Sequence, residues 1–153
     1  MISYAQVTTT RPADTTAYAA GDLVANSVTA GSVVPLTVTA GISSPCWLRG
    51  ITLRHSQASV TNSNFRVWLM NASPTVTNGD NAIIAGTFLA TVLNEPLVVD
   101  VETLLTGGGA IGTSLFDAGM LRIVPTMYAL IEARAAYTPA SAEVFTLDVW
   151  GSQ

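Results

Sequence analysis

Phe65-Arg66-Val67-Trp68-Leu69-Met70 is the stretch whose reading decides the fold class. Phe65, Val67 and Leu69 fall on one face of an extended chain, and Arg66, Trp68 and Met70 fall on the other. That is the two-residue period of a strand and not the 3.6-residue period of a helix. A tryptophan on the nominally outward face predicts a sheet that is covered there as well. Upstream, Trp47 to His55 repeats the pattern, with Ile51 and Leu53 alternating against Thr52 and Arg54, and Gly50 marking a bulge. Before it, Leu23 to Val28 and Val33 to Thr39 read as strands separated by Ala30-Gly31, and Pro35 confines the second to an edge or a bulged strand.

Downstream, Asn71 to Asp80 reads as a long loop through Pro74, Asn78 and Gly79, followed by a short helical turn at Asn81 to Ala85. Gly86 to Leu93 and Leu97 to Val101 read as strands joined through Asn94-Glu95-Pro96. Gly107-Gly108-Gly109 with Gly112 forms a loop. Leu121 to Val124, Met127 to Arg134 and Val144 to Trp150 complete the set. The last sets Phe145, Leu147 and Val149 against Thr146 and Asp148. Residues 1–22 are polar and alanine-rich without apolar alternation, and read as an extended N-terminal arm that gains order by lying against something. About eight short strands and almost no helix define an all-β fold over residues 23–153, a two-sheet antiparallel sandwich with jelly-roll topology as the leading arrangement. An immunoglobulin-like sandwich of ~7 strands is the other arrangement.

Composition bounds what such a domain can do. The 153 residues are 49% hydrophobic and 10% charged, with a formal net charge of −4, against roughly 25% charged in an average soluble protein. No apolar run approaches the ~20 residues of a membrane-spanning helix. All six basic residues are arginine, scattered and outnumbered by ten carboxylates, so no footprint for nucleic acid is built. Lysine keeps surfaces hydrated and is depleted at interface cores, so its absence points to lasting protein partners. Cys46 has no cysteine to pair with, and Met1-Ile2-Ser3-Tyr4-Ala5 lacks the basic and apolar segments of a signal peptide, so synthesis and folding in a cytoplasm are expected.

A search for chemistry finds no catalytic, cofactor-binding or metal-binding set. His55 and Cys46 lack an orienting group and an oxyanion hole with any sequence signature, and one His with one Cys cannot complete a tetrahedral zinc site. Asp100 and Glu102 share the face of a strand end and read as solvated edge charges. Asn78-Gly79-Asp80-Asn81 lacks the spacing of a calcium loop and reads as a turn. Gly107 to Gly112 matches a dinucleotide fingerprint in letters only, without the strand before and the helix after. What remains is Trp47, Trp68 and Trp150 with Tyr4, Tyr18, Tyr128 and Tyr137, the residue types that dominate binding hot spots, unless the tryptophans cap the core.

Three segments, read together, give a further expectation. They are Thr10-Arg11-Pro12-Ala13-Asp14-Thr15-Thr16-Ala17-Tyr18-Ala19-Ala20-Gly21-Asp22-Leu23-Val24, then Pro74-Thr75-Val76 with Asp80-Asn81-Ala82, then Tyr128 to Ile131 through Ala136-Tyr137-Thr138-Pro139-Ala140 to Phe145-Thr146-Leu147. In this order the chain resembles the capsid cement or decoration proteins of tailed bacteriophages. The resemblance implies a non-enzymatic virion protein, made in the bacterial cytoplasm, that binds the outside of the head and bridges major capsid protein subunits. It also implies a sandwich or jelly-roll homo-oligomer, with a trimer as the expected state. Arg11, Pro12, Tyr18 and Asp22 would then belong to the segment engaging the shell or a sister subunit, with Arg66, Trp68 and Trp150 as further contacts by residue type. The alternative from a different class is a carbohydrate- or host-surface-binding module of a virion fibre or spike, since sandwiches bind glycans through aromatic platforms.

Overall fold

Alternating apolar residues fix two long central strands, β4 (Cys46–His55) and β13 (Val144–Ser152), whose inward side chains Leu48, Ile51, Leu53, Phe145, Leu147 and Val149 are fully buried. The computed structural model describes residues 2–38, 46–87, 91–93, 96–115, 122–123 and 126–152, and every regular element among them is a strand. In chain order the others are β1 (Ile2–Thr10), β2 (Leu23–Val24), β3 (Leu36–Val38), β5 (Asn64–Met70), β6 (Thr75–Val76), β7 (Gly86–Thr87), β8 (Leu97–Asp100), β9 (Thr103–Leu104), β10 (Ala110–Leu115), β11 (Arg122–Ile123) and β12 (Met127–Ala133).

The first sheet runs β1-β13-β4-β10-β9, with β11 on the start of β4. The second runs β2-β12-β5-β8, with β3 also on β12. All pairings are antiparallel. The chain is thus an antiparallel β-sandwich, and it changes sheets at most of its connections, with its first and last long strands ending as neighbours. Phe65, Val67 and Leu69 of β5, with Ala129 and Ile131 of β12, meet the inward side chains of β4 and β13 in one core. Each fully buried large aliphatic or aromatic side chain there contributes about 1.5–3 kcal/mol.

A second apolar layer lies on the outside of the second sheet. Leu23, Met70 and Leu130 pack with Val76, Ile84 and Val92, and Trp68 and Tyr128 join them. The covering segment carries the β6–β7 hairpin. Trp68 faces away from the main core and is covered all the same, as its place in the alternation requires. Its indole N–H donates to Glu132 Oε2 at 2.7 Å, while Arg66 holds Oε1 at 2.8 Å.

Several segments differ from the sequence reading. Ile2–Thr10 is not an arm: it pairs with β13 through all nine residues, as the edge strand of the first sheet. Its inward side chains are Ala5, Val7 and Thr9 and its outward ones Tyr4, Gln6, Thr8 and Thr10, so the two faces differ little in hydropathy and the alternation is hidden. The expected boundary at residue 22 falls just before β2. β10 is a further strand where a loop was expected to continue, with Gly112 required because a Cβ there would lie 2.1 Å from the Asp100 carbonyl oxygen. Asn81 to Ala85 forms no helical turn: Asn81 is left-handed at φ 58° and Ile83 bridges to Asp22. Of Gly86 to Leu93, residues 88–90 lie outside the described residues, as do 39, 94–95, 121 and 124 of the other expected strands and turns.

Residues 11–22 cross the end of the sandwich and are bound there by a buried polar knot. Arg11 is 2% exposed and Tyr18 1%. All five guanidinium N–H groups of Arg11 have acceptors: Tyr18 Oη (2.8 Å), the Asp14 and Ala140 carbonyls, Asp14 Oδ1, and Asp80 Oδ2 at 2.9 Å. Asp80 Oδ1 accepts from the Tyr18 hydroxyl and the Ala25 amide, each at 2.7 Å. Tyr18 stacks on Tyr137, whose hydroxyl donates to Glu143 at 2.6 Å. The guanidinium stays cationic, because the tyrosine and the two carboxylates outweigh the burial that opposes charge.

Two outcomes follow from this knot. Arg11→Met leaves the Asp80 carboxylate buried without its cation and lowers the unfolding free energy by about 3–5 kcal/mol, measured by urea denaturation. Burial first, then the neighbouring carboxylates, push the Tyr18 and Tyr137 hydroxyls well above the ordinary phenol range. The folded state therefore holds these protons more tightly than the unfolded one. The stability they confer is complete below about pH 10, the phenol value in the unfolded chain, and is lost as pH rises beyond it. In an alkaline titration their tyrosinate absorbance rises together with loss of the near-ultraviolet circular dichroism; all four tyrosines ionising in an intact fold would contradict this.

Candidate functional site

With the second sheet covered, the outer face of the first is the broad open surface among the described residues. Strand register orders it into rows across β1, β13, β4 and β10. Tyr4, Trp150, Gly50 and Leu115 form one row; Gln6, Asp148, Thr52 and Thr113 the next; Thr8, Thr146, Arg54 and Ile111 the third. A bulge opposite Trp150 and Gly151 adds Arg49 to β4, and Trp47 lies beyond it, opposite Ser152. Arg49 Nε donates to Ser152 Oγ at 2.6 Å.

The first row is apolar and fixed in place. A Cβ at Gly50 would come within 2.6 Å of Trp150 Cζ2 and 2.9 Å of the Ser114 carbonyl oxygen. Glycine is what lets the indole lie on the backbone. Tyr4 is 50% exposed, Trp47 43% and Leu115 71%, so the band reaches solvent across the sheet. The second row is a hydrogen-bonded patch. Asp148 Oδ1 accepts from the Tyr4 hydroxyl (2.5 Å) and Gln6 Nε2 (2.7 Å), Arg54 holds Oδ2 at 2.7 Å, and Thr52 and Thr113 join their hydroxyls at 3.1 Å. The hydrogen bond to Asp148 holds the Tyr4 hydroxyl above the usual phenol range. A central aromatic band beside a small, paired set of charges is the composition of a recognition surface.

Of the seven residues expected as shell or subunit contacts, Trp150 alone lies on this face. Arg11, Tyr18 and Asp22 are buried within the chain and are not available as surface contacts. Asp22 Oδ2 accepts from the Ala19 amide and closes a turn of the same segment. Pro12 is half-buried, with its carbonyl accepting from Ala142. Arg66 and Trp68 lie on the second sheet, both bonded to Glu132. Sequence reasoning placed Tyr4 and Trp47 among its aromatic candidates but did not find Gly50, Asp148, Arg54 or Leu115 as their companions. The signal for Tyr4 was a two-residue alternation carried by Gln and Thr and not by apolar residues.

Inside the core, a second constellation has the letters of a catalytic triad. His55 Nε2 lies 3.1 Å from Ser63 Oγ, and His55 Nδ1 lies 3.0 Å from Glu143 Oε1. With its proton on Nδ1, the imidazole donates to Glu143 and accepts from Ser63. The His55 and Glu143 side chains are fully enclosed and Ser63 is 4% exposed, so the hydroxyl is shut off from the surface; Tyr137 and the Ala140 amide also donate to Glu143. The set does the work of a core hydrogen-bond network. Cys46 and His55 occupy opposite ends of β4, roughly 30 Å apart at the rise of a strand, and do not form a pair.

The candidate calcium turn has its oxygens engaged. Asp80 serves Arg11 and Tyr18, and Asn78 bonds Ala82, Ile83 and Ala85. Gly107 to Gly109 are all left-handed and make the β9–β10 hairpin turn, outside any strand-to-helix context. Asp100 and Glu102 are exposed on either side of buried Val101. Among the described residues, no group of three or more His, Cys, Asp and Glu is placed to hold a metal ion. No family model matches the chain, and no curated protein or solved structure matches it either.

Proposed function

We propose that the chain is a non-enzymatic structural protein of a tailed-phage virion, a self-associating cement or decoration protein. It binds the outside of the head and bridges major capsid protein subunits through the open face of its first sheet. The observation that carries this reading is the apolar band of Tyr4, Trp150, Trp47 and Leu115, laid on a paired sheet and bordered by few charges. The strand order supports it further: we read β1-β13-β4-β10 against β3-β12-β5-β8 as the two sheets of a jelly roll.

The three segments that carry the resemblance also meet in space. Arg11 and Tyr18 come from the first, Asp80 from the second and Tyr137 from the third, and together they form the buried knot. A likeness held by such residues speaks for a shared scaffold. The shell contacts themselves fall elsewhere, on the open face. Function of this kind needs no reaction. A protein that binds the assembled shell more tightly than separate subunits stabilises the shell by linkage, and many copies multiply weak contacts. Neither nucleic acid nor membrane enters, and the site of action is the capsid exterior after synthesis in the host cytoplasm.

The purified protein is expected to cosediment with expanded, undecorated heads and to raise the temperature at which they break. Tyr4→Ala with Trp150→Ala weakens binding by about 30-fold or more, the loss of about 2 kcal/mol for one hot-spot side chain. Decorated and bare heads that break at the same temperature would refute the reading.

The fixed indole beside Asp148, Gln6 and Arg54 favours one second reading, a sugar stacked on Trp150 with its hydroxyls on the polar row. A glycan array separates the two: binding abolished by Trp150→Ala, with no affinity for heads, would establish the fibre or spike module instead.

A further inference from the structure

The outer side of β1 is a long, unguarded strand edge. Among the described residues, no strand pairs with it. The Arg11 amide donates to the Glu143 carbonyl at 3.0 Å, which directs the main-chain groups of Arg11 toward β13. Alternation along an antiparallel ladder then directs those of Tyr4, Gln6, Thr8 and Thr10 away from it. Other edges are short or interrupted. β8 has four residues, follows Pro96 and ends in Asp100; β3 has three and follows Pro35; β9 has two. β1 has nine residues, no charge, no proline and no bulge, and so lacks each device by which edges refuse further strands.

We infer that β1 pairs antiparallel with β1 of a second copy of this chain, giving a two-fold dimer whose first sheets are continuous. Unpaired strand-edge groups in a row are satisfied in register only by another extended chain. This strand suits itself, because antiparallel self-pairing brings uncharged residues opposite uncharged residues. With the axis at Val7, Tyr4 faces the second copy's Thr10 and Gln6 its Thr8, so each outward main-chain group finds its complement. Beside this edge, between β1 and β3, lies a cleft of about 580 Å³ lined by Val7 to Thr10, Asn26 and Val34 to Thr37. It gives room to the second copy's inward Val7 and Ala5. The pairing is isologous and closes on itself. It also puts both aromatic bands on one face of the joined sheet, offset from each other by about 20 Å along the seam. The inference stands apart from the shell-binding reading, since it is measured with no shell present.

Light scattering coupled to size exclusion, on the full chain, tests it. The wild type runs as a dimer. Thr8→Pro removes an N–H that points away from β13, so the intramolecular ladder is kept and the dimer peak is lost. Thr8→Lys with Gln6→Lys puts like charges opposite across the axis and gives the same loss with an unchanged circular dichroism spectrum, which decides the matter if the proline variant fails to fold. Val7→Cys cross-links into a covalent dimer on oxidation, since a non-hydrogen-bonded pair brings its Cα atoms to about 4.5 Å. A wild type that is monomeric at every concentration or trimeric, or a dimer indifferent to the lysine substitutions, would overturn the inference.

Discussion

A guanidinium that is cut off from water must be met by acceptors on every side, and in this chain that requirement falls on Arg11. Its partners arrive from three places: Asp14 beside it, Asp80 from the segment covering the second sheet, and Ala140 from the loop before β13. The same residue donates its amide to Glu143, where β1 leaves the ladder. One side chain thus sets the end of the edge strand, the seat of the covering segment and the path of residues 11–22. A buried pair of this kind adds little net stability compared with well-packed apolar residues, because desolvation offsets much of the attraction. Its effect is on uniqueness: a register slip of β1 by one residue would turn Arg11 outward and leave Asp80 buried without its cation.

The strong alternation of β4, β5, β12 and β13 made the sandwich legible, because one face of each strand is uniformly apolar. Gly50 could be read as a bulge, and the register of β4 against β13 shifts there. What stayed hidden shares a physical cause. β1 alternates small or hydroxyl side chains against polar ones, so burial is not written in hydropathy. The resemblance points Arg11 and Tyr18 toward a contact surface; their burial depends on Asp80, 69 and 62 residues away. Likewise Ser63, His55 and Glu143 have no local spacing, since the topology alone brings them together.

The sparse charge of the sequence has a structural counterpart. Arg11 is paired with Asp14 and Asp80, Arg54 with Asp148, and Arg66 with Glu132, while Glu143 is enclosed with His55. Much of a small complement of ions is therefore committed to internal pairs, and few charges remain to hydrate the outside. The two sheets resolve this differently. The second buries its outer apolar residues under its own chain, so Trp68 and Tyr128 become part of a second core. The first has no such cover among the described residues, and its aromatic residues stay at the surface.

That difference bears on how the open face can bind. Docking a surface costs the conformational freedom of each side chain that becomes ordered, about 0.5–1.5 kcal/mol for a rotamer-rich one. Here much of that order exists beforehand. Trp150 lies against Gly50, Tyr4 is held by Asp148, and Asp148 is held in turn by Gln6 and Arg54. Tryptophan and tyrosine have two side-chain torsions each, so large contact areas are presented at low entropic cost. A flat, pre-ordered band on a sheet suits a partner that is itself broad and rigid, which is the shape the proposed shell partner would offer.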